Sequence, residues 1–367
     1  MRIKEYEPLA PLTTFGIGGV ARWFAEAASE EEVVEATAWA RERGLPLFVL
    51  GGGSNLLISS VGFNGLVLRV ALRGITVAGA PHNAESSGQP AERIYQAAAG
   101  EPWDSLVERA VRENCAGIEC LAGIPGTVGG TPVQNVGAYG QEVASVIVRV
   151  RAFDLCEPGF VEFTASECGF AYRRSRFNSA DRGRFIVTRV DYRLTPGGAP
   201  TLRYGELERA LSESRRDGSL PSLTEVAASV RRIRRAKGML IVEGDPDCRS
   251  AGSFFKNPVI REELFQEIAS RSSGAVPRFP AGPGAENAGR VKISAAWLIE
   301  QAGFQKGYRL GNAAISSRHA LALVNIGPDG RGGATAAEIL ALAGQIVARV
   351  EARFGVRLEM EPEMVGF

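Results

Sequence analysis

Leu50-Gly51-Gly52-Gly53-Ser54-Asn55-Leu56-Leu57 and Gly123-Ile124-Pro125-Gly126-Thr127-Val128-Gly129-Gly130-Thr131-Pro132-Val133-Gln134-Asn135-Val136-Gly137-Ala138-Tyr139-Gly140 are the two stretches on which the fold turns. Glycine has no Cβ, so its backbone enters left-handed conformations and lies directly against a ligand. Successive backbone N–H groups in such loops form concavities that suit phosphate oxygens. Neither stretch fits G-x-G-x-x-G or G-x-x-x-x-G-K-[ST]. A pyrophosphate cofactor held outside the Rossmann and P-loop families is therefore expected. Its candidate cradle is Gly51, Gly52, Gly53, Ser54 and Asn55, with Gly123, Ile124, Pro125, Gly126, Gly129, Gly130, Gln134, Asn135, Gly137, Ala138 and Tyr139. Gln134, Asn135 and Thr131 add side-chain donors to the backbone ones.

Outward from these loops, the pattern reads as mixed α and β. Ser29-x-x-Glu32 is a capping box, which predicts a helix running to about Arg43 and ended by Gly44. Leu47 to Leu50 reads as a buried strand entering the first glycine loop, and Leu66 to Val70 as another after it. Residues 80–91 are polar and read as an exposed excursion. Leu106, Val107, Ala110 and Val111 mark one face of a helix near Asp104 to Asn114. Strand-like alternation occupies Ser145 to Phe153 and Arg184 to Leu194. Ser222-x-x-Glu225 opens another helix, residues 276–290 read as a surface loop, and Thr335-x-x-Glu338 opens the last helix, with Val356 to Glu361 as a final strand.

Composition narrows the class. The 367 residues are too many for one ordinary core, and 45% hydrophobic with 23% charged residues is globular. With 42 basic against 41 acidic residues, no net field favours nucleic acid or an anionic membrane. The five cysteines contain no C-x-x-C, which argues against zinc or a disulfide framework and for a reducing compartment. No run of eighteen apolar residues is present, and the N-terminal segment lacks a signal-like apolar stretch. The expectation is a cytoplasmic, multidomain enzyme with no metal, acting as a monomer.

Motifs in the same order along nearly the whole chain resemble the UDP-N-acetylenolpyruvoylglucosamine reductases, flavoenzymes of peptidoglycan precursor synthesis. They are Thr14-Phe15-Gly16-Ile17-Gly18-Gly19, the two glycine loops, Phe170-Ala171-Tyr172-Arg173, Ala251-Gly252-Ser253-Phe254-Phe255-Lys256-Asn257-Pro258, Ala296-Trp297-Leu298-Ile299-Glu300 and Leu358-Glu359-Met360-Glu361. The resemblance implies an α+β chain: a non-Rossmann, PCMH-like FAD-binding fold of two α/β subdomains, residues 1–70 and 71–220, and a third, α+β substrate-binding domain, residues 221–367. It implies FAD and NADPH as cofactors and a sugar-nucleotide as substrate. Hydride passes from reduced flavin to C3 of the enolpyruvyl group.

The same resemblance assigns roles that the chemistry supports. Ser253 donates a proton to C2, a downhill transfer once a basic carbon has developed beside its hydroxyl. Arg173 offers a planar pair of donors to the substrate carboxylate, and Glu361 helps stabilise the enolate. Glu359 and Glu363 are rivals to Glu361, because residues two apart in a strand share a face. Tyr204 marks the subgroup that closes a tyrosine-bearing loop over its substrate. Lys237, Arg234 and Asn257 are assigned to the sugar-nucleotide.

The basic run Arg231 to Lys237 otherwise reads as a solvated helix end. The departures from the family pattern are the extra loops at 80–91 and 276–290 and the acidic Glu363. An oxygen-using flavin oxidase is one alternative, but such enzymes often tether flavin through histidine or cysteine, and His82 and His319 lie outside the glycine loops. A non-catalytic precursor-binding module is the other, and it gives no reason for the set Ser253, Arg173 and Glu361.

Overall fold

The computed structural model describes residues 1–79, 92–214, 219–282, 287–327 and 333–367. Its helices are α1 (Glu30–Glu42), α2 (Trp103–Arg112), α3 (Gly205–Ser214), α4 (Leu223–Ala236), α5 (Glu262–Ser270), α6 (Ala295–Gln301) and α7 (Ala336–Phe354). Their ends follow local chemistry. Ser29 Oγ accepts from Glu32 N–H at 3.3 Å, and the Glu32 carboxylate reaches Ala28 N–H at 2.7 Å. Thr335 and Glu338 form the full reciprocal box on α7, and Gly355 ends that helix at φ +65°. Each such cap contributes about 1 kcal/mol.

The chain divides into two compact units. The first comprises Met1–Glu7, Ala21–Gly53 and Asn64–Ala236; the second comprises Pro8–Val20, Ser54–Phe63 and Lys237–Phe367. The division differs from the boundaries read from sequence. Helix α4 belongs with the first unit, and the first glycine loop is split between Gly53 and Ser54.

Two larger sheets frame the first unit. In one, the order is Ile3–Pro8, Val20–Ala27, Gly62–Val70, Leu47–Leu50, the last two parallel with Leu47 opposite Leu66. The other runs Gly159–Thr164, Ile147–Asp154, Phe185–Pro196, Arg93–Ala98, Ile75–Gly79, all antiparallel. Helix α2 buries Leu106, Val107 and Ala110 of the face its spacing predicts, with Trp103 added and Val111 only half-buried. Trp103 also donates its Nε1–H to Leu121 O at 3.1 Å, just before the second glycine loop. Truncating such a buried aromatic costs about 3–5 kcal/mol, so the loop is entered from a firmly packed point.

The second unit is built on an apolar core that includes Phe15, Leu57, Phe254, Phe255, Leu298, Ile339 and Ile346. Its small sheets are Val259–Arg261, Arg290–Ile293, Arg278–Pro280 in that order; Arg309–Leu310, Ala313–Ile315, Leu323–Asn325; and the parallel pair Glu363–Val365 with Leu56–Ile58.

Two sequence expectations are corrected here. Residues 276–290 contain the strand Arg278–Pro280, paired with Arg290–Ile293, so the segment is partly sheet. The final strand is Glu363–Val365, not Val356 to Glu361, where the pairing is confined to a bridge at Met360. Pro362 lacks an N–H and sits at a bend between the two, which interrupts a continuous ladder. The loop reading of 80–91 lies outside the described residues.

Candidate active site

In the first unit the two glycine loops meet backbone to backbone. A Cβ on Gly52 would stand 2.5 Å from Gly126 Cα and 3.0 Å from Thr127 N, so no side chain fits there. Gly53 takes φ +63° and Gly126 φ +123°, which turns the chain on either side of the contact. A Cβ on Gly129 would come within 2.7 Å of Ala99 Cβ, whereas one on Gly130 would meet nothing within 4 Å. The second loop is therefore packed against protein at Gly129 and open at Gly130. Ile124 and Pro125 are half-buried between Gly123 and Gly126.

The end of this loop is a tight hairpin, Gly137–Ala138 against Gln141–Glu142. Its two turn residues, Tyr139 (φ +49°) and Gly140 (φ +86°), both adopt left-handed backbone, the signature of a type I′ turn. Gly suits that turn and Tyr does not, so Tyr139 is held there by its surroundings. Two further candidates, Asn135 (φ +46°) and Arg173 (φ +53°), share this uncommon state. Such residues cluster where structure is spent on placing a group.

Asn135 is buried and its side chain is committed within the protein. Its Nδ2 donates to Glu142 Oε2 (2.9 Å) and Ala171 O (3.1 Å), and its Oδ1 accepts from Ala144 N–H (3.1 Å). It shapes the loop instead of extending a side-chain donor to a ligand. Arg173 donates from Nη2 to Gly137 O at 2.9 Å, which ties it to the hairpin. Gln134 and Ala138 are half-buried on the same loop.

Two cations of the basic run, Arg231 and Arg234, are held within the protein. Arg231 forks onto Asp104, with 2.8 Å from Nη2 to Oδ1, and also reaches Glu108. Asp104 in turn accepts from Gly123 N–H at 2.7 Å. Arg234 is buried, 6% exposed, and donates from Nε to Gly123 O at 3.0 Å. Both sides of the Gly123 peptide unit are thus held by groups tied to α4, which a solvated helix end would not do. Burial pushes the Arg234 guanidinium below its usual range, and the neighbouring Tyr139 and Asp104 oppose that push. Burial likewise raises Tyr139 to about 12, with Arg234 pulling the other way. The structure therefore places Arg234 as an internal brace of the second glycine loop.

Tyr204 lies 5.3 Å from Tyr139, ring centroid to centroid, in an edge-to-face pair. It precedes α3, whose first N–H groups, Leu207 and Glu208, donate to its carbonyl at 2.9 and 3.0 Å. A Cβ on Gly140 would stand 2.9 Å from Arg203 Cβ, so the hairpin turn rests closely on this segment.

The second unit carries the other candidates. Gly252 (φ +74°) turns the chain into Ser253, which is half-buried. Phe255 bridges Met360, with Glu361 N–H donating to Phe254 O at 2.9 Å and Lys256 N–H to Glu359 O at 2.9 Å. Ser253 and Glu361 are thereby brought onto neighbouring antiparallel segments. Phe254 and Phe255, expected as a wall beside the serine, are fully buried and anchor that segment in the core.

The three acidic rivals are separated by their surroundings. Glu359 is exposed and pairs with Lys256, Glu363 is exposed in the last strand, and Glu361 is half-buried. Asn55 Nδ2 donates to Glu361 O at 3.4 Å, and Glu363 N–H donates to Asn55 O at 3.0 Å. Ser54 and Asn55 therefore stand with the terminal segment. Asn257 spends its Oδ1 on Ala295 N–H at 2.9 Å, and Lys237 is half-buried where the second unit begins.

One contributor had no assigned role in the sequence reading. Thr14 Oγ1 donates to Ser250 O at 2.6 Å, and Gly252 N–H donates to Ser250 Oγ at 3.2 Å, so Thr14 steadies the turn ahead of Ser253. No group of three or more His, Cys, Asp or Glu side chains suited to a metal occurs among the described residues. Nor is any helix among them long and apolar enough to cross a membrane.

Residues 245–365 match the family described as UDP-N-acetylenolpyruvoylglucosamine reductase, C-terminal domain, and residues 21–157 match the family described as FAD binding domain. A UDP-N-acetylenolpyruvoylglucosamine reductase of Streptomyces coelicolor is 45% identical over 98% of this chain and 89% of its own. One of Thermobifida fusca is 42% identical over 98% and 97%. The crystal structure of UDP-N-acetylenolpyruvylglucosamine reductase from Thermus caldophilus aligns with TM-score 0.63 at 27% identity, covering 100% of this chain and 99% of that one.

Proposed function

The chain belongs to the UDP-N-acetylenolpyruvoylglucosamine reductase family, and from that premise we propose that it reduces UDP-N-acetylenolpyruvoylglucosamine to UDP-N-acetylmuramate for peptidoglycan synthesis, with NADPH as reductant. The cofactor is FAD. The residues of the first unit fit it: the side-chain-free contact at Gly52 and Gly126 and the open face at Gly130 suit a phosphate-bearing group lying against backbone. Gly51 to Gly53, with Ser54 and Asn55, and the segment from Gly123 to Tyr139 would hold it. Bound there, FAD would supply hydride-carrier chemistry between the nicotinamide and the enolpyruvyl group.

The remaining work falls to side chains. Arg173 binds the enolpyruvyl carboxylate, and its guanidinium stabilises the charge that spreads into that carboxylate when C3 gains hydride. Ser253 gives its hydroxyl proton to C2, which completes the new C–H bond, and recovers a proton from solvent. Glu361 supports the same intermediate. Lys237 and Asn257 serve the sugar-nucleotide, and Tyr204 covers it. The enzyme is taken as a cytoplasmic monomer.

The observation that carries this reading is the Phe255–Met360 bridge. It sets Phe254, the residue after Ser253, opposite Glu361 from a segment distant in sequence, and Glu361 is half-buried where Glu359 and Glu363 are exposed.

The test is an anaerobic visible spectrum of the FAD-loaded protein, followed by NADPH and then the sugar-nucleotide. Bleaching of the flavin band by NADPH and its return on adding the sugar-nucleotide supports both half-reactions. A band restored by oxygen alone would point to an oxidase instead.

A further inference from the structure

Within the first unit, Glu119 is a fully buried carboxylate on the turn Glu119–Leu121, ahead of the second glycine loop. Its Oε1 accepts from Gln141 Nε2 at 2.7 Å and from Thr201 N–H at 2.8 Å, and its Oε2 accepts from Gly117 N–H at 2.8 Å. Gln141 extends the network, donating from Nε2 to Thr201 Oγ1 (3.1 Å) and accepting from Cys120 N–H at Oε1 (2.8 Å). Cys120 Sγ donates to Thr201 O at 3.2 Å. Thr201 is thus held through its N–H, its hydroxyl and its carbonyl.

The positions of these residues give the network a purpose. Gln141 directly follows the hairpin turn that carries Tyr139, and Thr201 leads into the segment that carries Tyr204. A desolvated carboxylate is expensive unless its oxygens are well supplied with donors. Here the donors converge from the three segments that must agree for Tyr139 and Tyr204 to meet. An apolar residue in the same space would leave those N–H groups without an acceptor, so the carboxylate is what ties the segments to one another.

We propose that Glu119 is a positioning residue: through Gln141 and Thr201 it fixes the Tyr139–Tyr204 pair, and through Tyr204 it sets the affinity for the sugar-nucleotide. This rests on the proposed reductase reading and deepens it.

Glu119→Gln is the test, because the amide keeps the shape but turns a donor toward N–H groups that need an acceptor. Two measurements are made on the FAD-loaded protein. Hydrogen exchange needs no substrate, and faster exchange at residues 137–142 and 201–208 is expected. Steady-state kinetics should show the KM for UDP-N-acetylenolpyruvoylglucosamine raised roughly tenfold or more, the usual scale for losing a hydrogen bond to a buried charge, with flavin reduction by NADPH within about twofold of the parent.

The double variant with Tyr204→Ala separates positioning from general damage. A KM equal to that of Tyr204→Ala alone is expected if Glu119 acts through the tyrosine. Multiplying effects, or unchanged exchange at 201–208, overturn the proposal. If Glu119→Gln does not load FAD, Thr201→Val removes one tie and should raise KM in the parent but not in the Tyr204→Ala background; no rise in the parent overturns the proposal. A parent that exchanges electrons with NADPH but never with the sugar-nucleotide defeats the function reading instead, and hydrogen exchange then decides the positioning role alone.

Discussion

Replacing Gly52 by alanine isolates the contact between the glycine loops. Gly52 does not occupy the left-handed region, so the substitution adds no backbone strain of its own. What it adds is one methyl group whose carbon would stand 2.5 Å from Gly126 Cα and 2.8 Å from Gly126 C. Carbon atoms rest at about 3.5–4.0 Å, so the loops must part by about 1 Å. The obstacle is backbone, which cannot rotate out of the way as a flexible side chain does. Overpacking of this kind costs about 1–3 kcal/mol.

Gly130→Ala serves as the counterpart, since its methyl group meets no protein atom within 4 Å. The assay is thermal unfolding of the FAD-free protein together with FAD affinity by fluorescence quenching. Gly52→Ala should lower both the apo melting temperature and the affinity. Gly130→Ala should leave the apo protein unchanged and weaken FAD alone, because its open face is the one offered to the cofactor. Full FAD affinity in Gly52→Ala would refute the argument that loop spacing builds the cradle. Full affinity in Gly130→Ala would refute the assignment of that face.

Three further outcomes are expected. Ser253→Ala should leave NADPH reduction of the flavin intact and slow reoxidation by the sugar-nucleotide by roughly 10²–10⁴; stopped-flow traces showing equal loss in both half-reactions would make Ser253 a structural residue. Arg173→Lys should lower kcat by roughly 10²-fold, since a point charge cannot hold Gly137 O and also present a planar fork; near-normal turnover would remove the carboxylate-binding role. Asp154 is held at about 2 by hydrogen bonds from Arg184 foremost, helped by the N–H groups of Cys156 and Glu157, against an ordinary 3.8. Because its folded value is the lower one, its contribution is present above about pH 4 and lost as pH falls toward 2. Asp154→Asn should therefore destabilise the protein at neutral pH, and urea titrations should show that gap closing toward pH 2. A pH-independent gap would mean that packing, not charge, makes the difference.

Much of the fold was legible because its signals are local. Ser29, Ser222 and Thr335 each announce a helix start through a side chain that needs only its own next three residues, and each forms its cap. Gly44 and Gly355 end helices at positive φ for reasons internal to one peptide unit. The apolar face of α2 repeats at helical spacing and is buried accordingly. The glycine loops were legible for a different reason: a missing Cβ permits close backbone approach, although the sequence pointed to a ligand and Gly52 is closed by the backbone of Gly126.

What stayed hidden depends on partners distant in the chain. Nothing near Arg234 in sequence shows that its Nε will lie 3.0 Å from Gly123 O, so the bracing contact cannot be read from the basic run itself. Asn135 reads as a free donor until Glu142, Ala144 and Ala171 are known to surround its amide. The three glutamates near the C-terminus are equivalent by strand periodicity; Pro362 and the pairing of Lys256 with Glu359 break the equivalence. The common cause is that polar side chains inside a loop-built site must be satisfied by whatever the fold brings, because leaving a buried one unpaired costs about 1–3 kcal/mol. Loops rich in glycine contribute few side chains of their own, so their polar support has to come from elsewhere in the chain. Asp104, Glu119, Arg231 and Arg234 supply it here, and none of these ties can be read from the residues around them in sequence. In a cradle made of backbone, the charged residues nearest the glycines in space are therefore first to be suspected of holding the loop, and only then of holding the ligand.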